Sequence, residues 1–279
     1  MTFFGDFEGS TPAGAAAPAT TLRKVPAWER MQALAYEKEA LGFHVSGHPL
    51  DQYKDEIATF CSGSVERVAQ MPQDASVVVG GMLTRVRAVV AKTGKSAGQR
   101  MAMVTIADQA TAIEGVLFAQ TFATYGELMQ QDRVVVMVAR LDHSRGSPQL
   151  VVDRVIGIED AAQHLATRLE ITIDGEQNEP RLASAALQMA SGILRQASGS
   201  MASLSGRPVD VNVRVLVDGR SVLMHSNSLH VVPERGLLAK LASTLEGVGR
   251  VRVLGGYVPQ REKPRWQHRR TEHADAGAS

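Results

Sequence analysis

Between residues 76 and 159 the large apolar side chains stop recurring at helical spacing and gather into short valine-rich runs. Val77-Val78-Val79, Val134-Val135-Val136-Met137-Val138 and Leu150-Val151-Val152 are the densest of them. Valine is stiff at χ1 and fits a pleated surface better than a helix, so a chain with these runs must build a sheet here. Val77 to Val90 reads as one long strand, in which the paired Gly80-Gly81 allow a sharp coil or bulge. Met101–Ile106 and Ala112–Phe118 form a second and third strand across a turn at Ala107-Asp108-Gln109-Ala110. A helical stretch from Gln120 to Gln131 separates them from two further strands, Asp132–Leu141 and Gln149–Ile156.

Three strands, a helix and two strands is the element order of a five-stranded OB barrel, spanning residues 75–160. A small SH3-like barrel would not need a helix between its third and fourth strands. The expected fold is mixed and mainly β: this OB-fold barrel, a helical N-terminal lead-in, and a small α+β domain after it.

The lead-in covers 28–74. Trp28, Met31, Leu34, Ala35 and Leu41 recur at three- and four-residue steps, and Gly42 supplies the left-handed residue that closes a helix. A second short helix follows Pro49 through Ile57. Residues 1–27 are a linker, rich in Ala, Pro and Thr behind a small cluster of Phe3, Phe4 and Phe7. The α+β unit occupies 166–257. It holds a strand at Leu169–Ile173, an amphipathic helix at Leu182–Ala197, and the alternating strand Val209–Val217 running into the hairpin signal Asp218-Gly219. Strands at Ser221–His225, His230–Val232 and Val251–Leu254 and a helix at Glu234–Leu245 complete it, with an antiparallel sheet expected. Residues 258–279 are a basic tail expected to be disordered when free, with Trp266 among Arg261, Lys263, Arg265, Arg269 and Arg270.

Charge is nearly balanced, 30 basic against 29 acidic side chains, so nucleic-acid binding must come from local clustering. The clustering is there. No acidic residue lies between Asp74 and Asp108, while Arg85, Arg87, Lys92, Lys95 and Arg100 do. They fall on the first strand, its hairpin and the start of the second, an edge that faces the nucleic-acid groove in OB barrels. Arg140, His143 and Arg145 add charge from the connection between the fourth and fifth strands, and Phe118 is the ring placed to stack on a base. With so few aromatics, binding should be modest, salt-dependent and indifferent to sequence.

Other chemistry is excluded residue by residue. Lys92-Thr93-Gly94-Lys95-Ser96 lacks the leading glycine of a P-loop, since Val89 stands there, and a strand rather than a helix follows. His44 and His48 are interrupted by Gly47 and followed by Pro49, which suits imidazoles fixed in turns rather than metal ligands. Cys61, the single cysteine, reads as a small buried hydrophobe in a reducing cytoplasm. No apolar run approaches the ~20 residues needed to span a bilayer. No cofactor, metal or catalytic residue is expected, and no membrane partner.

The segment Glu37-Lys38-Glu39-Ala40-Leu41-Gly42-Phe43-His44-Val45-Ser46-Gly47-His48-Pro49-Leu50-Asp51-Gln52-Tyr53 resembles the one that precedes the OB domain in the alpha subunit of bacterial DNA polymerase III. In order and pattern the resemblance continues through the barrel and the α+β unit, over nearly the whole chain. It implies a C-terminal fragment that binds single-stranded DNA through the barrel and docks the tau subunit of the clamp loader through the last domain. The family is a DNA-directed DNA polymerase, but the chain has no Asp-x-Asp pair to seed its two-metal site. Replicative and repair-type alpha subunits both fit. So does a stand-alone OB protein binding single-stranded DNA or RNA. The resemblance also gives Met1-Thr2-Phe3-Phe4 a meaning, as the last four places of a sliding-clamp-binding peptide whose opening glutamine would fall before Met1.

Overall fold

The structure is a computed structural model that describes residues 28–91, 97–144, 146–200 and 205–256. It divides into two compact units, Met1–Ser46 and Gly47–Ser279. In the first, helix α1 (Arg30–Leu41) ends at Gly42, whose φ of 84° lets its N–H return to the Lys38 carbonyl. The chain then turns back on α1. Glu37 accepts the N–H groups of Val45 and Ser46, and His44 Nδ1 lies 3.1 Å from the Leu34 carbonyl.

The second unit begins with a 3-10 turn, Pro49–Tyr53, capped by His48, whose Nδ1 accepts the Leu50 N–H. His48 therefore serves as a cap. Helices α2 (Lys54–Phe60) and α3 (Val65–Ala69) lead to five strands: β1 (Ser76–Val90), β2 (Arg100–Ala107), β3 (Ala112–Leu117), β4 (Val134–Asp142) and β5 (Gln149–Gly157). They close into a barrel in the order β1-β2-β3-β5-β4, with β3 and β5 parallel and the other neighbours antiparallel. This is an OB-type barrel, as the element order predicts. Helix α4 (Ala119–Tyr125) joins β3 to β4. It is shorter than expected because the chain tightens into a 3-10 turn at Gly126–Leu128, a glycine being a poor helix former. Asp132, at φ 66°, then reverses the chain, so β4 starts two residues later than its sequence suggests.

Valine runs make sense once both faces of β1 and β4 are seen. Val77, Val79, Leu83, Val135, Met137, Ala139 and Leu141 point into the barrel, with Val65 and Val68 of α3 among them. Val78, Met82, Val134, Val136 and Val138 point outward, yet they are buried too. Leu50, Phe60, Ile158 and α5 (Ala161–Leu165) share that outer cluster, and Cys61 and Ile57 pack against it. Burial pushes the Cys61 thiol up to about 12, so it stays a neutral thiol.

Two bulges then change what faces where. In β1 the register with β2 slips between Leu83 and Arg85, leaving Thr84 as an extra residue. One extra residue reverses the in–out alternation. Upstream of it the odd-numbered residues fill the barrel; downstream Val86 packs inward and Arg85 and Arg87 face out. The paired glycines serve another purpose. A Cβ on Gly81 would lie 2.5 Å from the Ala107 carbonyl oxygen, so only glycine lets β2 approach where β1 passes from one partner to the other. In β5 a second slip leaves Asp153 unpaired opposite Val138 and Ala139.

The α+β domain carries β6 (Arg168–Asp174), α6 (Pro180–Gly199), β7 (Val209–Val217), β8 (Arg220–Val231), α7 (Arg235–Thr244) and β9 (Gly249–Leu254). Its strand order is β8-β7-β6-β9. The expected antiparallel sheet is corrected here: β6 and β7 run parallel, because the 20-residue α6 carries the chain back to the starting end of the sheet. Asp218 and Gly219, at φ 51° and 69°, form the tight turn between β7 and β8. The two β8 pieces seen in the sequence are one strand with an irregularity where Asn212 faces His225 and Asp210 faces His230. Leu169, Ile171 and Ile173 pack on Ala186, Ala190, Leu194, Leu237 and Leu241, and this core is continuous with the outer cluster on β1 and β4.

Phe60 lies inside that shared cluster at 6% exposure. Truncation in Phe60→Ala should lower the unfolding free energy by about 3 kcal/mol, read as a shift of the urea midpoint.

Candidate nucleic-acid interface

The barrel wall has a covered half and an open half. The first part of β1 and β4 form the covered half. The second part of β1, with β2 and β3, forms the open one, where the register sets side chains in cross-strand rows. Arg87 faces Met103, which faces Val116, which faces Val151, which faces Arg140. In the neighbouring row Arg85 faces Thr105, Glu114 and Gln149. Arg85 and Arg87 are exposed and share this outer face because of the Thr84 bulge.

Phe118 follows β3 directly, with extended backbone angles of −66° and 165°. One further step of the β2–β3 register sets it opposite Met101, on the same face as Met103, and the residue is 46% exposed. The structure therefore brings Arg85, Arg87 and Phe118 onto one face. Glu114, exposed on that face beside Thr105, is the carboxylate that sequence reading missed: it lies outside the acid-free stretch in the chain but across from it in the sheet.

The remaining candidates divide. Arg100 is exposed but alternates with Met101 onto the other side, beside Gln99, Gln120 and Phe122 of α4. Arg140 sits within β4 rather than in the connection after it, and its guanidinium lies 3.8 Å from Asp74 and 3.6 Å from Asp153, the bulged residue of β5. His143 is an anchor, with its N–H donated to Gln73 Oε1 and its Nε2 3.0 Å from the Met71 carbonyl. Both are corrections to the picture of free charge between β4 and β5. Lys92, Lys95, Arg145 and the Met1-Thr2-Phe3-Phe4 peptide lie outside the described residues, as does the basic tail.

The β2–β3 turn that holds the open face is fastened by Asp108. Its carboxylate accepts the N–H groups of Ala110, Thr111 and Val65, tying the turn to the start of α3. Gln109 beside it donates to Asp51, which also pairs with Lys54 at 2.9 Å. Among the described residues no cluster of three or more His, Cys, Asp or Glu could hold a metal ion, and no helix is long and apolar enough to cross a membrane.

Comparison with known proteins finds relatives over part of the chain. The chain is 33% identical over 138 residues to the DNA polymerase III alpha subunit of Borreliella burgdorferi, covering 50% of this chain and 12% of that protein. Against the alpha subunit of Pseudomonas fluorescens it is 32% identical over 154 residues, 54% of this chain and 12% of the relative. Against that of Escherichia coli K12 it is 26% identical over 165 residues, 58% and 14%. Over this segment the chain is related to the alpha subunit of bacterial DNA polymerase III. The relationship covers about half of the chain, less than the sequence pattern implies, and the matched segment is a small fraction of the relatives' own length. No family model matches. Among solved structures, a replication factor A related protein from Methanobacterium thermoautotrophicum aligns at TM-score 0.28 and 15% identity, covering 32% of this chain and 86% of that chain. The second OB-fold domain of replication protein A from Methanococcus maripaludis aligns at 0.27 and 12%, covering 33% and 92%. Likenesses this slight carry no argument; the barrel rests on its own strand pairing.

Burial pushes the Asp108 carboxyl up, but the N–H groups of Thr111, Val65 and Ala110 together outweigh it and hold it below the usual carboxylate range. Its stabilising effect is therefore present above the unfolded-state pKa and lost as pH falls through the folded one. Asp108→Asn should lower stability at pH 7 and lose less than the parent between pH 5 and pH 3, measured by urea unfolding across that range.

Proposed function

We propose that the open barrel face binds single-stranded DNA for a DNA polymerase III alpha subunit during replication, in the cytoplasm. The observation that carries this is the shared placement of Arg85, Arg87 and Phe118 on one exposed face; Lys92 and Lys95, between β1 and β2 in the chain, would add charge to it. Cations two residues apart on a strand follow a phosphate backbone, and an exposed ring offers a base its π-face. Neither contact reads sequence, so affinity rests on counterion release. Glu114 moderates the field and favours a weak, rapidly exchanging complex. Arg145 would extend the track from the connection between β4 and β5, whereas Arg100 lies on the opposite side of β2.

Two protein partners belong to the same proposal. Phe3 and Phe4, with Met1 and Thr2, would enter the apolar pocket of the sliding clamp, and the α+β domain would dock the clamp-loader tau subunit. Nucleotidyl transfer would belong to the larger part of such a subunit, of which this chain matches a small share.

Fluorescence anisotropy with a labelled oligo-dT across a salt series tests the strand reading. Arg85→Ala with Arg87→Ala should flatten the plot of log affinity against log salt by about 1.4, two phosphate contacts on a single strand. Phe118→Ala should cost about 1 kcal/mol with no change of slope. An unchanged slope in the double variant overturns the face assignment. For the clamp peptide, Phe3→Ala with Phe4→Ala should abolish retention on immobilised clamp; full retention removes that part of the reading.

A further inference from the structure

The sheet of the α+β domain has helices on one face only. Its odd-numbered residues on β6, β7 and β9, such as Leu169, Val211 and Val251, pack on α6 and α7. The even-numbered residues line the opposite face. The register sets Arg252, Glu170, Asn212 and His225 in one row, and Arg250, Thr172, Arg214 and Leu223 in the next. A third row joins Leu254, Arg168, Asp210 and His230.

The carboxylates on this face are already engaged. Glu170 accepts two hydrogen bonds from Arg214, at 3.1 and 3.0 Å. That guanidinium, with Arg252 and Arg168 adding to it, holds the Glu170 carboxyl below its usual range although burial opposes the shift. Asp210 lies 3.2 Å from His230 Nε2. Asp174 accepts the backbone N–H groups of Glu176 and Gln177. Arg168, Arg250 and Arg252 have no ion-pair partner among the described residues, and Arg250 and Arg252 are exposed. They stand on the edge strand β9 and its neighbour, the two arginines of β9 roughly 6.8 Å apart along the strand. Leu254 at the end of β9 offers apolar surface beside them, while on the far edge strand β8 the His225 imidazole is fixed with its Nδ1 2.8 Å from Asn212 Oδ1.

We infer that this open face is a second anion-binding surface of the chain, on which Arg250, Arg252 and Arg168 hold successive phosphates of a single nucleic-acid strand. The occupant follows from charge and shape: three guanidiniums outside any close ion pair, on a two-strand track, match a repeating monoanion, and each presents a fork of donors that suits phosphate oxygens. The surface lies outside the barrel face and does not depend on it.

The test uses the full chain, labelled oligo-dT of 20 and 40 nucleotides, and a salt series. Arg250→Ala with Arg252→Ala should weaken binding of the longer strand and flatten its salt slope by about 1.4, while Arg250→Lys with Arg252→Lys keeps the parent slope. Circular dichroism melting confirms that both variants fold, since both side chains are exposed. An unchanged slope in the Ala variant overturns the proposal. So does a variant that binds the strand normally but loses an acidic peptide of polyglutamate, which would make the surface a protein-docking one. The barrel reading fails separately: if Arg85→Ala with Arg87→Ala leaves binding intact while the β9 variant loses it, the second surface stands and the barrel assignment falls.

Discussion

The β1–β4 pair is buried on both faces, and the rest of the second unit is arranged around that fact. A strand pair covered on one face alone tolerates polar residues at every second position; one covered on both must be apolar throughout. Val77-Val78-Val79 and Val134 to Val138 meet that demand, with alternate side chains filling the barrel and the outer cluster. Because Phe60, Ile158 and α5 sit on the outer side, helix α2 and the α+β domain become parts of one apolar continuum with the barrel wall. A Cβ on Gly255 would lie 1.9 Å from the Thr59 carbonyl oxygen, which shows how closely the end of β9 approaches α2.

Covering one half of the barrel wall leaves the other half open, and the Thr84 bulge decides what that half displays. Without the extra residue, strict alternation from Val77, Val79 and Leu83 would turn Arg85 and Arg87 into the barrel, where two unpaired guanidiniums would prevent closure. With it, Val86 fills the interior and the arginines reach solvent. The exposure of both arginines on this face therefore depends on a local irregularity in the ladder. The Asp153 bulge in β5 works in the opposite sense: it places a carboxylate beside Arg140 and converts a candidate binding charge into a structural pair.

Much of the fold was legible in the chain. The run of strands, the helix between the third and fourth, the Asp218-Gly219 hairpin and the Gly42 helix stop all follow from local preferences, and the structure has each of them. Short helices such as α3 and α5 were not legible, because five residues carry too little periodicity to announce themselves. The parallel pairing of β6 and β7 was also hidden, since an isolated strand reads the same in either direction. Of the candidate residues, Arg85 and Arg87 lie in the acid-free stretch and are exposed, but their partners across the sheet came from register. Glu114 joins their face, Arg100 leaves it, and Arg140 and His143 are held by Asp74, Asp153, Gln73 and Met71.

The sequence by itself determined where this chain makes sheet, how its elements are ordered, where positive charge accumulates, and its kinship with a polymerase subunit. These are properties of neighbours along the chain, set by side-chain shape, backbone preference and local charge. Only the tertiary structure decided which side of each strand meets solvent and which charges stand free. Those outcomes depend on register across strands and on one extra residue at Thr84, and a period of two cannot reveal where it will be broken.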